Sequence, residues 1–160
     1  MTIKVGDRLP EATFSVMTDD GPQQRSTDDI FKGRKVALFA LPGAFTPTCS
    51  ARHLPGYKEK AGEFRAKGVD SIACLSVNDA FVMGAWGKDQ DVGDDVVMLA
   101  DGNADFTKKV GLEMDGTRFG MGVRSQRYSM IVDDGVVKEL NVEQPGEFRV
   151  SSAEHMLGQL

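Results

Sequence analysis

The sequence predicts an α/β fold, in which strands and helices alternate and a strand hairpin followed by a short helix closes the chain. The segment KVALFAL at residues 35–41 is almost wholly apolar, which is typical of a strand that is covered on both faces. Helical patterns separate later apolar segments from one another, and the last two strands flank the turn sequence Asp-Asp-Gly. Alternation of this kind places helices on the faces of a central sheet.

The middle of the chain is assigned from apolar spacing and from residues that begin or end helices. A helix at residues 57–67 is expected to end at Gly68, and a strand at 69–77 follows. Asn78 is the expected N-cap of the next helix. The apolar side chains of that helix are Phe81, Val82, Ala85 and Trp86.

The last third of the chain supplies the closing elements. After a strand at 96–101, Asn103 is expected to cap a short helix that ends at Gly111. Strands at 127–132 and 136–142 form the closing hairpin.

Both ends of the chain carry short signals. Ser151 and Glu154 predict a capping box for a C-terminal helix. The first thirty residues are polar and rich in turn formers, and they predict an N-terminal extension with a hairpin or loop at TDDGPQQ. The resulting order β-α-β-α-β-α-β-β-α is compatible with a thioredoxin-like fold, a central mixed sheet flanked by helices.

Length and charge limit the classes of function. The 160 residues predict one domain over residues 1–160. A net charge of −5 argues against nucleic-acid binding, which needs a basic surface. No apolar stretch reaches the ~20 residues that span a bilayer, and residues 1–14 lack the apolar core of a secretory signal. We therefore expect a cytoplasmic protein, or an organelle-matrix protein if a transit peptide has been removed, with no membrane partner.

Cys49 lies at a position that favours its thiolate. In the run FTPTC, Thr46 is expected to be a helix N-cap, Pro47 the first helical residue and Cys49 the third. Free backbone N–H groups and the positive end of the helix dipole favour an anion there, and the thiolate is the reactive form of cysteine. Cys49 is therefore interpreted as a nucleophile and not as a small buried hydrophobe, which free cysteines often are.

The neighbouring histidine and the second cysteine receive structural interpretations. His53 lies four residues after Cys49 on the same helical face, an arrangement that suits a Cys–His pair or a metal site. A metal needs more ligands, and the only other histidine is His155, so no metal is expected and packing of His53 is favoured. Pro55 is expected to kink or end the helix. Cys74, inside an apolar strand, is expected to be a core thiol.

Several segments resemble the peroxiredoxins. LPGAFTPTCSARHLPG, residues 41–56, resembles their active-site segment with the motif P-x-x-x-T-x-x-C, here Pro42, Thr46 and Cys49. Its Phe-Thr-Pro and His-Leu-Pro-Gly parts are similar to the type II group, which includes the "five" class and glutaredoxin-linked bacterial and plant enzymes. IKVGDRLPEATF, ACLSVNDAFVMGAWGK and RYSMIVDDGVVKELNVE resemble other segments of that group, so the resemblance covers nearly the whole chain.

The resemblance implies a thioredoxin fold and a thiol peroxidase that uses no cofactor. Cys49 is the implied peroxidatic cysteine, and Thr46 is the implied residue that orients the peroxide. Arg127 is implied to hold the thiolate and a peroxide oxygen, and Pro42 is implied to shield the site from water. The backbone N–H groups of Thr48 and Cys49 are implied to contact the peroxide.

The resemblance also bears on the pocket and on the partners. Phe119 is expected to line the pocket for a hydroperoxide substrate, and relatives of this type imply a homodimer. The animal "five" enzymes carry a resolving cysteine near the C-terminus, whereas residues 145–160 contain none. The sulfenic acid must then be reduced by an external thiol, glutathione with glutaredoxin or thioredoxin, or by Cys74 after a rearrangement.

Two other functions stay open on the sequence. The same oxidation of Cys49 suits a peroxide-sensing redox signalling protein, in which turnover is incidental. A non-catalytic thioredoxin-fold binding module is the weaker alternative, because it leaves Thr46 and Arg127 beside Cys49 without a role. Sustained peroxide consumption with a thiol reductant separates the enzyme from the sensor, whereas the fold does not.

Overall fold

The computed structural model describes residues 1–160, and its strands form two sheets. The nine strands are β1 (Thr13–Thr18), β2 (Gly21–Ser26), β3 (Lys35–Ala40), β4 (Ser71–Ser76), β5 (Val97–Ala100), β6 (Glu113–Asp115), β7 (Val123–Ser125), β8 (Tyr128–Asp133) and β9 (Val136–Val142). Seven of them form the central sheet in the spatial order β2-β1-β5-β4-β3-β8-β9, and β6 pairs with β7.

Six short α-helices surround the central sheet. They are α1 (Thr27–Phe31), α2 (Leu54–Glu59), α3 (Ala61–Ala66), α4 (Ala80–Asp89), α5 (Asp105–Lys109) and α6 (Ala153–Leu157). A π-helical segment, Cys49–His53, leads directly into α2, and a 3₁₀ turn spans Thr117–Phe119. None of these helices is long and apolar enough to cross a membrane.

The central sheet is mixed. Strands β3, β4 and β5 are parallel, whereas β8 pairs antiparallel with β3 and β1 pairs antiparallel with β5. The prediction of an α/β, thioredoxin-like fold with a mixed sheet between helices is thereby confirmed. The register pairs Ala40 with Tyr128 at the carboxyl end of β3. The residue before β8 therefore lies beside the loop that follows β3.

Helices cover both faces of β3, as the apolar run predicted. Phe39 belongs to a core cluster that includes Tyr57 and Trp86, and Leu38 belongs to the cluster on the other face, which includes Phe14. Every residue from 36 to 41 has zero exposed surface. Full burial of a large apolar side chain contributes about 1.5–3 kcal/mol, so β3 firmly anchors the loop that follows it.

The helix predicted at residues 57–67 is longer and interrupted. Helical structure begins ten residues earlier at Pro47, and α2 and α3 are separated at Lys60, where φ is −99° and ψ is 11°. Pro55 does not end the helix, because it lies in the first turn of α2, where a missing N–H is tolerated. Gly68 follows α3 with a φ of +90°, which suits glycine at a helix end.

The predicted N-cap of α4 is wrong by one residue. Asp79 is the cap, and its carboxylate accepts a hydrogen bond from the Val82 N–H at 2.8 Å. The Asn78 side chain is used elsewhere, as described below. The apolar face is also shifted: Trp86 is buried, but Phe81 is 67% exposed.

The other two predicted caps are also replaced by neighbouring groups. The carboxylate of Asp101, not Asn103, accepts hydrogen bonds from backbone N–H groups in the first turn of α5. Ser152, not Ser151, caps α6 by accepting from the His155 N–H. The Ser151 hydroxyl instead donates to Glu143.

The hairpin expected near the N-terminus is present, whereas two other elements carry no clear signal in the sequence. TDDGPQQ does form a hairpin, with Thr18 paired to Gly21 between β1 and β2. Helix α1 follows it and begins with a capping box formed by Ser26 and Asp29, which the sequence prediction missed. The small sheet of β6 and β7 was also missed, because each strand has only three residues.

Candidate active site

The helix that carries Cys49 begins where the sequence predicts. Pro47 is the first helical residue, and the carbonyl of Thr46 accepts a hydrogen bond from the Ser50 N–H at 2.9 Å. The N–H groups of Thr48 and Cys49 donate to no backbone carbonyl. These two donors are therefore available to a bound molecule or to an anion at the start of the helix.

The helix changes its hydrogen-bond pattern directly after this start. The Leu54 N–H donates to the carbonyl of Cys49, five residues back, which defines the π-helical segment Cys49–His53. Pro55 has no N–H, so the ordinary bond to the carbonyl of Ala51 cannot form. Single π-helical turns inside α-helices are frequent at functional sites.

Arg127 contacts the sulfur of Cys49. The antiparallel pairing of β3 with β8 brings Arg127, the residue before β8, to the helix start, and its Nη2 donates to Cys49 Sγ at 3.2 Å. Cys49 is completely buried. A guanidinium in this position favours the charged form of the sulfur and can donate to an oxygen bound next to it.

His53 holds the other nitrogen of the same guanidinium. Arg127 Nη1 donates to His53 Nδ1 at 2.8 Å, and His53 Nε2 lies 3.0 Å from the backbone carbonyl of Ser151. A carbonyl only accepts, so Nε2 carries the proton and Nδ1 is the acceptor. Burial, and then the charge of Arg127, lower the pKa of His53 to about 3, against the effect of the Ser151 hydrogen bond. The ring is therefore neutral near pH 7.

A C-terminal segment fixes the carbonyl that holds His53. The Glu143 carboxylate accepts from the Arg149 N–H at 2.7 Å, the Ser151 N–H at 2.8 Å and the Ser151 hydroxyl at 2.6 Å. Burial raises the pKa of Glu143, but these hydrogen bonds outweigh it and the net shift is downward. Tyr57 also donates to the Ser151 carbonyl, at 2.8 Å.

The loop between β3 and the helix is held at three points. The Thr46 hydroxyl donates to the carbonyl of Gly43 at 2.7 Å, which leaves its oxygen free to accept. Arg124 donates to the carbonyl of Pro42 at 3.2 Å. The side-chain oxygen of Asn78 accepts from the Ala44 N–H at 3.0 Å, so the end of β4 supports the loop.

A cleft of about 490 Å³ lies over this constellation. Pro42, Thr48 and Arg127 line it, together with Arg52 and with residues 143–148. Three larger surface cavities, of about 890, 670 and 510 Å³, are lined by neither Arg127 nor any residue from 42 to 53. The cleft beside Arg127 is therefore the one relevant to thiol chemistry.

Phe119 is not among the residues that line the cleft. Its ring is 69% exposed and lies 5.3 Å from the guanidinium of Arg118. The expectation that Phe119 lines the pocket is therefore not met within one chain. Phe148 is the aromatic residue of the cleft, and its ring lies under Arg52 at 4.7 Å and Arg127 at 5.9 Å.

Cys74 lies in the core, as its sequence context predicted. It is completely buried in β4 beside Phe39, and burial raises its pKa well above the usual range, with a further contribution from Cys49. Both cysteines are free thiols. No group of three or more His, Cys, Asp or Glu side chains is arranged to hold a metal ion.

Sequence reasoning missed the residues that support Arg127 and the loop. Glu143 and Ser151 lie far from the motif along the chain, and only the single acid at the end of the last strand, in NVEQPG, hinted at Glu143. Arg124 was visible as part of the basic cluster RFGMGVRSQR, but its target could not be read from sequence. Asn78 had been assigned to a helix cap.

Together, the fold and this site define a class of protein: a thioredoxin-like domain with a buried thiol at a helix start that accepts a hydrogen bond from a guanidinium. The Redoxin family matches residues 4–157. Peroxiredoxin-2E-2, chloroplastic, of Oryza sativa subsp. japonica is 57% identical over 161 residues, which cover 98% of this chain and 72% of that protein. Hybrid peroxiredoxin hyPrx5 of Haemophilus influenzae is 42% identical, over 98% of this chain and 66% of that protein.

Solved structures agree with these relatives. The crystal structure of reduced Prx3 in complex with H₂O₂ from Vibrio vulnificus has a TM-score of 0.95 and 56% identity, and the match covers 99% of both chains. Peroxiredoxin 5 from Alvinella pompejana has a TM-score of 0.86 and 35% identity, over 97% of this chain and 96% of that one. The chain belongs to the Redoxin family, as a type II, peroxiredoxin-5-like peroxiredoxin. It is accordingly a peroxidase that reduces peroxides.

Proposed function

We propose that the chain reduces hydrogen peroxide and organic hydroperoxides through the thiolate of Cys49. One observation carries this proposal: the 3.2 Å hydrogen bond from Arg127 to Cys49 Sγ at the start of a helix. Cys74 has no such donor, and burial disfavours its thiolate. The nucleophile is therefore Cys49.

The chemical step transfers one oxygen atom to sulfur. The thiolate attacks one oxygen of the hydroperoxide, the O–O bond breaks, and an alkoxide or hydroxide leaves and takes up a proton as alcohol or water. Cys49 becomes a sulfenic acid. Negative charge grows on the leaving oxygen, so fixed donors aimed at that oxygen lower the barrier.

The donors around the sulfur suit this step. Arg127 and the free N–H groups of Thr48 and Cys49 can hold the peroxide oxygens, and the oxygen of Thr46 is free to accept a hydrogen bond from the peroxide O–H. Pro42 lines the cleft, and we assign it the role of shielding the sulfur from water. Orientation of a small substrate by several fixed groups contributes to rate through proximity.

The sulfenic acid is reduced by an external thiol. Attack by glutathione on the sulfenic sulfur forms a mixed disulfide and releases water, and glutaredoxin then exchanges it. Thioredoxin is the other candidate reductant. Cys74 is fixed in a packed strand, so it reaches Cys49 only if the structure opens locally. We therefore place the enzyme in the one-Cys type.

Assembly and location are also part of the proposal. Phe45 lies against Trp86 with ring centroids 6.4 Å apart and is 53% exposed, and Phe81 of α4 is 67% exposed. Exposed aromatic side chains of this kind favour a homodimer. Two plant relatives are named chloroplastic. For this chain we propose the cytoplasm, or the matrix of an organelle.

The test is steady-state peroxide consumption with a panel of reductants. Reduced protein is mixed with hydrogen peroxide or an alkyl hydroperoxide and with glutathione plus glutaredoxin, or with thioredoxin plus its reductase. We expect sustained turnover with at least one reductant. One oxidation per chain without turnover would instead identify a peroxide-sensing redox signalling protein.

Cysteine variants provide the matched control for this assay. Cys49→Ser should abolish turnover, whereas Cys74→Ser should leave most of it, because only Cys49 contacts Arg127. Substantial turnover by Cys49→Ser would contradict the assignment of the nucleophile.

A further inference from the structure

We propose that His53 is a positioning residue of the peroxidase: its Nδ1 lone pair fixes the guanidinium of Arg127 against the sulfur of Cys49, and the Ser151 carbonyl fixes the histidine. The inference rests on the proposed role of Cys49 as the nucleophile. It goes beyond that role, because it assigns a function to His53, whose side chain makes no hydrogen bond to the Cys49 sulfur. The packing role that the sequence predicted for His53 is thereby extended.

The first step is the geometry around Arg127. Its two terminal nitrogens have different partners: Nη2 donates to Cys49 Sγ at 3.2 Å and Nη1 donates to His53 Nδ1 at 2.8 Å. Because the guanidinium is planar and rigid, fixing one terminal nitrogen restricts the direction in which the other terminal nitrogen can point. Without His53, Arg127 would keep the Phe148 ring at 5.9 Å as a contact, which restrains rotation weakly.

The second step is that only one form of His53 can do this. Nε2 faces the carbonyl of Ser151 at 3.0 Å and must donate to it, so Nδ1 is left as an acceptor directed at Arg127. A protonated ring would place its Nδ1–H donor against the Nη1–H donor of Arg127. Full burial of His53, with Arg127 as its charged neighbour, keeps the ring neutral.

The third step is that the carbonyl itself is fixed. The Glu143 carboxylate accepts three hydrogen bonds from Arg149 and Ser151, so the chain around Ser151 has little freedom. Hydrogen bonds to a charged group are stronger than those between neutral groups. The end of β9 thus connects through Ser151 and His53 to the guanidinium at the reactive sulfur.

Two amide variants separate the two nitrogens of the ring. The side-chain oxygen of Asn reaches the place of His Nδ1, whereas the side-chain nitrogen of Gln reaches the place of His Nε2. His53→Asn therefore keeps an acceptor for Arg127 and loses the donor to Ser151. His53→Gln keeps the donor and loses the acceptor, and His53→Phe loses both. Tyr57→Phe is the control, because it removes a hydrogen bond to the same Ser151 carbonyl without affecting Arg127.

The readout is the rate constant of Cys49 oxidation by hydrogen peroxide in stopped flow, with urea unfolding of each variant beside it. We expect His53→Gln and His53→Phe to be at least tenfold slower than the parent, and His53→Asn to fall only about threefold, because it restores the acceptor. Tyr57→Phe should stay within about twofold. Equal rates for the Asn, Gln and Phe variants, or rates that follow the free energy of unfolding, would overturn the proposal.

A second measurement needs neither a His53 variant nor peroxidase activity. In ¹⁵N NMR of the parent protein, His53 should show a protonated Nε2 and an unprotonated Nδ1 from about pH 8 to about pH 5. A His155→Gln variant assigns the signals, because His155 is the only other histidine. A proton on Nδ1 of His53 would overturn the proposal while leaving the peroxidase assignment of Cys49 intact.

Discussion

At the scale of single residues, the site depends on the guanidinium of Arg127, which donates hydrogen bonds to two different side chains. Arg127 donates to Cys49 and His53, and both partners are completely buried. In a site with little water, a charge of this kind interacts more strongly with a thiolate than it would in bulk solvent. The loss of Arg127 should therefore affect the sulfur more than the loss of any other cation in the cleft.

The first prediction tests this charge. Arg127→Gln should slow oxidation of Cys49 by hydrogen peroxide at least tenfold, because a charge-assisted hydrogen bond of about 1.5–3 kcal/mol is lost. Arg52→Gln is the control, since Arg52 also lines the cleft and stacks on Phe148 but does not contact the sulfur. Equal effects of the two substitutions would remove the specific role of Arg127.

The second prediction concerns pH. The pKa of His53 is lowered from 6.5 to about 3 by burial and by Arg127. Between these pH values the unfolded chain binds a proton at this ring and the folded chain does not. The contribution of His53 to the free energy of unfolding is therefore fully present above pH 6.5 and is lost as the pH decreases toward 3. Arg127, Tyr57 and Glu143 are the other ionisable groups in this network.

Urea unfolding at several pH values measures this effect. The free-energy difference between the parent and His53→Asn, which does not titrate, isolates the histidine from the acidic residues. Well below pH 6.5 this difference should shrink by up to about 1.4 kcal/mol per pH unit. A difference that is independent of pH would mean that the ring is not held neutral in the fold.

At the scale of elements, the ends of strands β3 and β4 support the loop that precedes Cys49. Asn78 follows β4 and accepts from the Ala44 N–H, whereas its neighbour Asp79 caps helix α4. The two residues are adjacent in sequence but stabilise different elements. Their substitutions should therefore have different consequences.

The third prediction uses this pair. Asp79→Ala should destabilise the fold by about 1 kcal/mol, the usual cost of a lost cap, with little change in the peroxide rate. Asn78→Ala leaves the Ala44 N–H without a partner, so it should cost about 1–3 kcal/mol and also slow oxidation of Cys49 by loosening residues 42–46. Urea unfolding and stopped flow measure both effects. A normal peroxide rate in Asn78→Ala would show that the loop does not need this support.

The elements also explain what the sequence could and could not predict. Strand β3 was predictable because burial on both faces demands a continuous apolar run, and the helix start at Pro47 was predictable because proline and threonine have strong positional preferences. The caps at Asn78, Asn103 and Ser151 were wrong, because a neighbouring side chain satisfied the backbone instead. Cap preferences alone do not decide between adjacent polar residues.

The supporting residues of the site were beyond sequence reasoning for a different reason. The contact between His53 and Ser151 joins residues 98 positions apart, and the one between Arg124 and Pro42 joins residues 82 apart. No local spacing encodes such a pair. The motif residues could be assigned by resemblance, whereas the hydrogen bonds that orient Arg127 required the fold.

At the scale of the whole molecule, the exposed aromatic side chains predict self-association. Phe81 of α4 is 67% exposed, and Phe45, which contacts Trp86, is 53% exposed. We expect a dimer in sedimentation velocity at micromolar concentration, and we expect Phe81→Glu to shift it toward monomer. Val5→Glu, at another exposed apolar position, is the control. A monomeric parent protein would contradict the proposed assembly.

The most direct measurement of the central claim is intact mass spectrometry of the reduced protein after one equivalent of hydrogen peroxide. The parent and Cys74→Ser should each gain one oxygen atom at Cys49, trapped by a sulfenic-acid reagent and converted to an adduct by glutathione. Cys49→Ser should gain none, because the buried Cys74 has no donor at its sulfur. Oxidation of Cys49→Ser at the parent rate, or loss of two hydrogens with a Cys49–Cys74 crosslink in the monomer, would contradict a mechanism based on Cys49 and an external thiol.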